Sequence, residues 1–339
     1  MASESRPAQG ATRSRVVRVL LWIGLGLVAV PLVGWSALVM FHCVPAPQPL
    51  RLLLAVAVPA FVIAAMVRRA SVRRTGVAAA GAFALGLGVF WAQAASNDRS
   101  WSPDVARLPW AEFRGDMVTV HDIRSCRYRS QTDYDVAWRS DTFDLSRLRG
   151  VDLFHVFWGS PSIAHTMLSF GFDDGRQLCL SVETRREQGE TYDAVKGFFR
   201  QYELIYVFGD ETDLVKLRTN FRGEQVHLYP LRVPVDKVRQ VLVDYLQAAT
   251  ELRERPEWYN ALTENCTTTL LGQALPVINP DASLDWRMVV NGRLHELLHE
   301  RGRIDNSLPL EELQRKSLVN DRAMAVEDDA DFSRRIRRP

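Results

Sequence analysis

The chain is poor in lysine and in cysteine. Lysine stands only at positions 196, 216, 237 and 316 of 339, so arginine carries nearly all the positive charge; this is a bias of composition rather than of chemistry. The net charge is only +2, and no basic cluster is interleaved with aromatics as a nucleic-acid groove requires, so no nucleic-acid partner is expected. The run Arg334-Arg335-Ile336-Arg337-Arg338 reads as a solvated tail. The four cysteines, Cys43, Cys126, Cys179 and Cys266, are spaced too widely and irregularly for a disulfide framework or a zinc pattern; a Cys126–Cys179 bridge stays open. His295 and His299 are spaced like a metal pair on one helix face, but no zinc is expected there. No metal and no cofactor is expected, and there is no repeat at a solenoid period.

Long apolar runs, by contrast, open the chain: Val16 to Phe41, Leu52 to Val67 and Gly76 to Ala95. The first and third are long enough to cross a hydrocarbon core of roughly 30 Å, and the second is at the short limit. The first is too long for a cleaved signal peptide, and further spans follow it. Arg6, Arg13, Arg15 and Arg18 precede the first run, and Arg68, Arg69, Arg73 and Arg74 lie between the second and third; only Arg51 separates the first two. The positive-inside rule then puts both arginine-rich sides in the cytoplasm and everything after about Asn97 outside. The expected plan is a cytoplasmic N-terminus (1–15), a three-helix anchor (16–96), an extracytoplasmic domain (97–279), a helical extension (280–322) and a flexible tail (323–339). The location expected is a bacterial cytoplasmic membrane, crossed several times.

In the outer region, Met117 to His121, Tyr134 to Trp138, Val151 to Trp158, Glu203 to Phe208 and Gln225 to Val233 read as strands. Helices are expected near Glu211 to Asn220 and over Val235 to Arg253, and again over Val289 to Arg301 and Leu310 to Val319. The class is α+β with a mainly antiparallel sheet. Ile163 to Phe172 and Gln177 to Thr184 form a hairpin around Asp173-Asp174-Gly175. A three-residue loop closed by glycine puts Ala164, Thr166, Leu168, Phe170 and Phe172 on one face with Leu178, Leu180 and Val182. A two-residue loop would mix polar with apolar positions, so pattern selects the first register. His165 then falls opposite Glu183, on a face shared with Met167, Ser169, Gly171, Gln177, Cys179 and Ser181.

Cys266 begins an apolar helix after Asn265. Unpaired N–H groups and the positive end of the helix dipole lower the pKa of a thiol there, which makes it a candidate nucleophile; the plain alternative is a small buried hydrophobe. With His165 as base, Glu183 fixing the imidazole and the helix-start amides with Asn265 binding an oxyanion, the set has the geometry of papain-like thiol chemistry. Histidine precedes cysteine, the order of circularly permuted members. Cys179 is too far along its strand from Glu183 to share that base. Tyr259 is a candidate to line the pocket or assist the oxyanion. Arg185 and Arg186 are candidates to bind a lipid phosphate, although arginine at a strand end is more often solvated. His155 reads as structural.

The stretch Trp158-Gly159-Ser160-Pro161-Ser162-Ile163-Ala164-His165-Thr166-Met167-Leu168-Ser169-Phe170-Gly171-Phe172, then Leu180 to Glu187, then Tyr259 to Thr268 with Asn265-Cys266, resembles the periplasmic N-terminal domain family of the bacterial lipoprotein N-acyltransferase Lnb. The likeness runs from about Asp116 to Leu275. It implies a permuted papain-like fold and acyl transfer through a cysteine thioester, with a membrane lipid or lipoprotein as substrate. The architecture departs from Lnb, in which the membrane helices follow the periplasmic domain. Hydrolysis of a peptide or peptidoglycan amide by the same residues, and a non-catalytic tethered binding domain, are the other expectations.

Overall fold

The structure is a computed structural model that describes residues 8–69, 71–279, 285–326 and 329–338. Its contacts divide the chain into two compact units. One is Met1–Ala94 with Phe199–Gln201, the other Ala95–Phe198 with Tyr202–Pro339.

The first unit is built on three helices, α1 (Ala8–Cys43), α2 (Gln48–Arg69) and α3 (Val72–Trp91). The spans Arg15–Cys43, Gln48–Arg68 and Val72–Trp91 are each long and apolar enough to cross a membrane. The middle one exceeds its apolar run because flanking polar residues continue the helix, which removes the shortfall expected from Leu52 to Val67. Leu27, Val30 and Val67 point outward, as lipid-facing side chains do when the solvent is hydrocarbon. The interior is made of small and β-branched residues, Ala29, Val33, Val62, Ala79 and Ala82. A Cβ on Gly86 would stand 3.0 Å from the Ser36 hydroxyl, the close approach that small residues permit between membrane helices. Phe199 packs here against Val39 and Cys43.

The second unit is a sheet covered on both faces. Its strands are β1 (Trp110–Arg114), β2 (Met117–Arg124), β5 (Trp138–Asp144), β6 (Leu148–Phe157), β7 (Ala164–Phe172), β8 (Gln177–Arg185), β9 (Glu203–Gly209) and β10 (Gln225–Pro230), while β3 (Arg127–Tyr128) and β4 (Tyr134–Asp135) form a small separate ribbon. The order is β1-β2-β9-β8-β7-β6-β10, with β5 on β2. Every pairing is antiparallel except the single β2–β9 bridge, so the α+β class holds with a mainly antiparallel sheet. β1 and β5 carry few β-branched residues and more charge than alternation, so the pattern did not announce them.

Helices α5 (Val235–Glu251) and α6 (Cys266–Ile278) lie on one face with α7 (Leu294–Glu300). Leu168, Phe170, Leu178, Leu180 and Val182 share that core with Leu270 and Ala274. The other face carries Met167, Cys179, Ile205 and Val207. It is closed by α4 (Glu211–Leu214), a π-helical turn (Leu217–Phe221), α9 (Asn320–Met324) and α10 (Phe332–Arg335); α8 (Leu310–Ser317) lies beside β10. Burial on both sides explains why all of β9 is buried.

Two expectations are corrected here. The region after 323 is not a loose tail where it is described: Ala323, Val326, Phe332 and Ile336 are core residues, and Arg337 bridges Asp152 and Glu211 at 2.8 and 2.5 Å. Its charges disguise the apolar side chains between them, and residues 327, 328 and 339 lie outside the description. The domain boundary at 279 also fails, because residues 285–336 complete both layers of the same unit. Cys126 and Cys179 are separate buried thiols.

Candidate functional site

The hairpin adopts the expected register. Met167 pairs with Ser181 and Gly171 with Gln177, and the Phe172 N–H donates to the Arg176 carbonyl at 3.0 Å. Gly175 closes the loop at φ +86, where a side chain would be strained. The ladder stops at Met167–Ser181, so β7 has an unpaired edge over Ala164 to Thr166. Cys266 fills that edge: its sulfur lies 4.0 Å from the Ala164 carbonyl, and the Thr166 N–H points at it.

His165 and Glu183 are joined through a third residue. Nε2 of His165 is 2.8 Å from the Ser181 hydroxyl, and that hydroxyl donates to Glu183 at 2.9 Å. The serine has one proton and gives it to the carboxylate, so Nε2 must carry the hydrogen and Nδ1 is the basic nitrogen. Arg124 and Arg218 each stand 3.6 Å from Glu183. Burial raises the carboxylate, but the two guanidiniums overcome it and hold its pKa at about 2. Arg124 is fixed in turn by a bidentate pair to Asp213 at 3.0 Å. Burial, with Arg218 nearby, lowers the His165 pKa well below its usual value, so the ring is neutral at neutral pH.

The cysteine helix lies on the apolar face of the hairpin rather than on the His165 face, because Leu270 and Ala274 seek Leu168 and Leu180. Cys266 meets the strand from its edge, beside the backbone of His165, and no hydrogen bond joins the sulfur to the imidazole. Burial raises the thiol pKa, opposed by the Thr166 N–H, the Thr267 hydroxyl and Arg218. The resting pair is a neutral thiol and a neutral imidazole.

Asn265 caps the helix: Oδ1 accepts from Thr267 and Thr268 N–H at 2.9 and 3.0 Å, and Nδ2 donates to Ala261 O at 3.0 Å. Its amide is therefore committed, and the first-turn N–H that the cap does not use is that of Cys266. Tyr259 is buried and hydrogen-bonded to Tyr192; burial, then proximity to Cys266, raises its phenol. Arg185 is a buried clamp, donating to Val105 O, Ala106 O and Asn97 at 3.0, 2.8 and 2.8 Å and lying 4.2 Å over the Trp101 ring. Arg186 pairs with Asp104 at 3.2 Å. Both arginines serve the N-terminal edge of the unit rather than the cysteine.

Several partners carried no sequence signal. Asn291 bonds the Ala164 N–H through Oδ1 at 2.9 Å and the Thr267 hydroxyl through Nδ2 at 2.8 Å, and its carbonyl is 2.9 Å from His155 Nε2. A Cβ on the next residue, Gly292, would lie 2.2 Å from the Pro161 carbonyl; an Asn-Gly pair more than a hundred residues from β7 shows none of this locally. His295 and His299 face different partners, Gln314 and the Leu308 carbonyl. An apolar cavity of about 90 Å³ between α5, α6 and α7 reaches Thr166.

No curated protein and no solved structure matches the chain. The family match that does exist begins at β4 and ends at Asn291-Gly292, so it takes in Cys266, His165, Ser181 and Glu183 and leaves out the apolar helices. Residues 134–292 match the Lnb N-terminal periplasmic domain family, the one that the His165, Glu183 and Asn265-Cys266 segments resemble.

Proposed function

We propose that the outer unit is a permuted papain-like thiol enzyme that forms an acyl-enzyme at Cys266, transferring an acyl group between a membrane lipid and a lipoprotein at the outer side of a bacterial cytoplasmic membrane. The observation that carries this reading is the seating of the Cys266 sulfur between the Ala164 carbonyl and the Thr166 N–H, on either side of the residue that bears the imidazole. In the proposed step, Nδ1 of His165 takes the thiol proton as sulfur attacks the ester carbon. Nε2–H stays on the Ser181 hydroxyl, which Glu183 holds in turn, and the two orient the ring as the third member of a thiol triad does. The Cys266 N–H binds the oxyanion, with Tyr259 beside it. Collapse expels an alcohol that takes the proton from Nδ1, leaving a thioester; an amine then attacks the thioester and gives its proton to His165, which passes it to the departing sulfur and so restores the thiol. The apolar cavity reaching Thr166 suits an apolar acyl group. Water in place of the amine makes the same residues an amide or ester hydrolase.

A second reading has its own support. The raised thiol and the absence of a resting sulfur–imidazole bond favour a tethered binding domain in which Cys266 only packs. Mass spectrometry of lipoprotein amino termini, in cells lacking the gene and complemented with wild type, Cys266→Ala or His165→Ala, separates them. Restoration of the acylation state by wild type alone is expected. Restoration by Cys266→Ala would overturn the enzyme reading, and an unchanged profile on deletion would overturn lipoprotein acylation.

A further inference from the structure

Four segments of the outer unit converge on the N-terminal end of α6, and each exposes large apolar side chains there. Ile163, 57 % exposed, precedes the Ala164 whose carbonyl touches Cys266; Trp158 is exposed at the other end of that segment. Leu262, 53 % exposed, belongs to the loop that Asn265 holds through the Ala261 and Leu262 carbonyls. The next segment is fastened to that loop by the Ala261 N–H on the Gly197 carbonyl at 3.1 Å, and it exposes Tyr192 and Phe198. Val289, 52 % exposed, leads into Gly292, whose N–H donates to the Ser162 carbonyl at 3.2 Å.

A soluble surface rarely gathers such side chains into one rim. The mixture of Trp, Tyr, Phe and aliphatic residues is the one that membrane interfaces select. The chain supplies its own membrane helices, and Phe198 is followed directly by Phe199–Gln201, which pack with them. A tethered rim meets lipid at high effective concentration, so even shallow insertion is favoured.

We propose that this rim is a lipid-docking surface, lying in the headgroup layer of a bilayer around the entrance to Cys266. The proposal does not require that Cys266 be catalytic. If it is, the rim admits an ester from the bilayer without its chains crossing water.

The test uses the full chain in nanodiscs of phosphatidylcholine and phosphatidylglycerol, with and without bromine on the acyl chains near the headgroup. Tryptophan emission is compared among wild type, Trp158→Phe and, as a control away from the rim, Trp138→Phe. Trp158→Phe should remove a bromine-quenched component, and Trp138→Phe an unquenched one. Loss of only unquenched emission with Trp158→Phe would overturn the proposal. A second variant, Ile163→Asp with Leu262→Asp, should keep the near-ultraviolet dichroism and the labelling of Cys266 by a soluble thiol reagent, yet lose the quenching of Trp158. Unchanged quenching in that variant would also overturn docking. Failure of acylation with quenching intact counts against the enzyme reading alone.

Discussion

The Ser181 hydroxyl stands between His165 and Glu183, accepting from Nε2 at 2.8 Å and donating to the carboxylate at 2.9 Å. The relay decides which ring nitrogen is basic, and Nδ1 is the one nearer the backbone that Cys266 touches. Direct contact between His165 and Glu183, as the cross-strand register suggested, would have assigned the tautomer without a serine.

Removing the serine should therefore disorient the imidazole without breaking the fold. Ser181→Ala is expected to slow alkylation of Cys266 by iodoacetamide roughly fivefold, the equivalent of a net hydrogen bond of about 1 kcal/mol. Faster alkylation would show that Ser181 restrains the base rather than directing it.

Because burial raises the Cys266 thiol and leaves His165 neutral, no thiolate–imidazolium pair is stored at rest. The alkylation rate should keep climbing past pH 9 in wild type. A plateau between pH 5 and 8 would indicate a resting ion pair instead.

Glu183 makes stability depend on acid. Its folded pKa of about 2 lies below the ordinary 4.5, so the stabilisation is complete above the ordinary value and is lost as pH falls from there toward 2. Glu183→Gln should cost on the order of 3 kcal/mol at neutral pH, since it removes the carboxylate that Arg124 and Arg218 share. The melting-temperature gap to wild type in detergent should close between pH 5 and 2; a constant gap contradicts the assignment.

The Asn265 side chain is a helix cap. Asn265→Asp should preserve melting temperature, and Asn265→Ala should lose about 1 kcal/mol. If Asn265→Asp destabilises as much as Asn265→Ala, the donation from Nδ2 to Ala261 matters more than the cap.

For Arg185, a clamp predicts a stability defect rather than a binding defect. Arg185→Ala should lower the melting temperature by the equivalent of about 2 kcal/mol or more, through the carbonyls of Val105 and Ala106 left without their donor, while Arg186→Ala changes it little. Equal, small effects from both would return Arg185 to the surface.

Much of this protein is local in its sequence. Three long apolar runs, a helix start at Asn265-Cys266 and the hairpin around Asp173-Asp174-Gly175 depend on hydropathy, capping and a two-residue period, and each is visible within a short stretch of chain. What tertiary structure decided is which faces those elements cover. Leu270 and Ala274 seat α6 on the Leu168 side because apolar surface is buried wherever it fits, so Cys266 arrives at the edge of β7 rather than above His165. The far face, which carries His165, Ser169, Gln177 and Ser181, is a second core because Ala323, Phe332 and Ile336 return to it from a stretch whose charges hide them. Asn291 reaches Thr267 and Ala164 through hydrogen bonds whose partners lie 24 and 127 residues away. No periodicity along one chain encodes such pairings, since they exist only once the sheet, its two helical layers and the closing C-terminal segment are packed together.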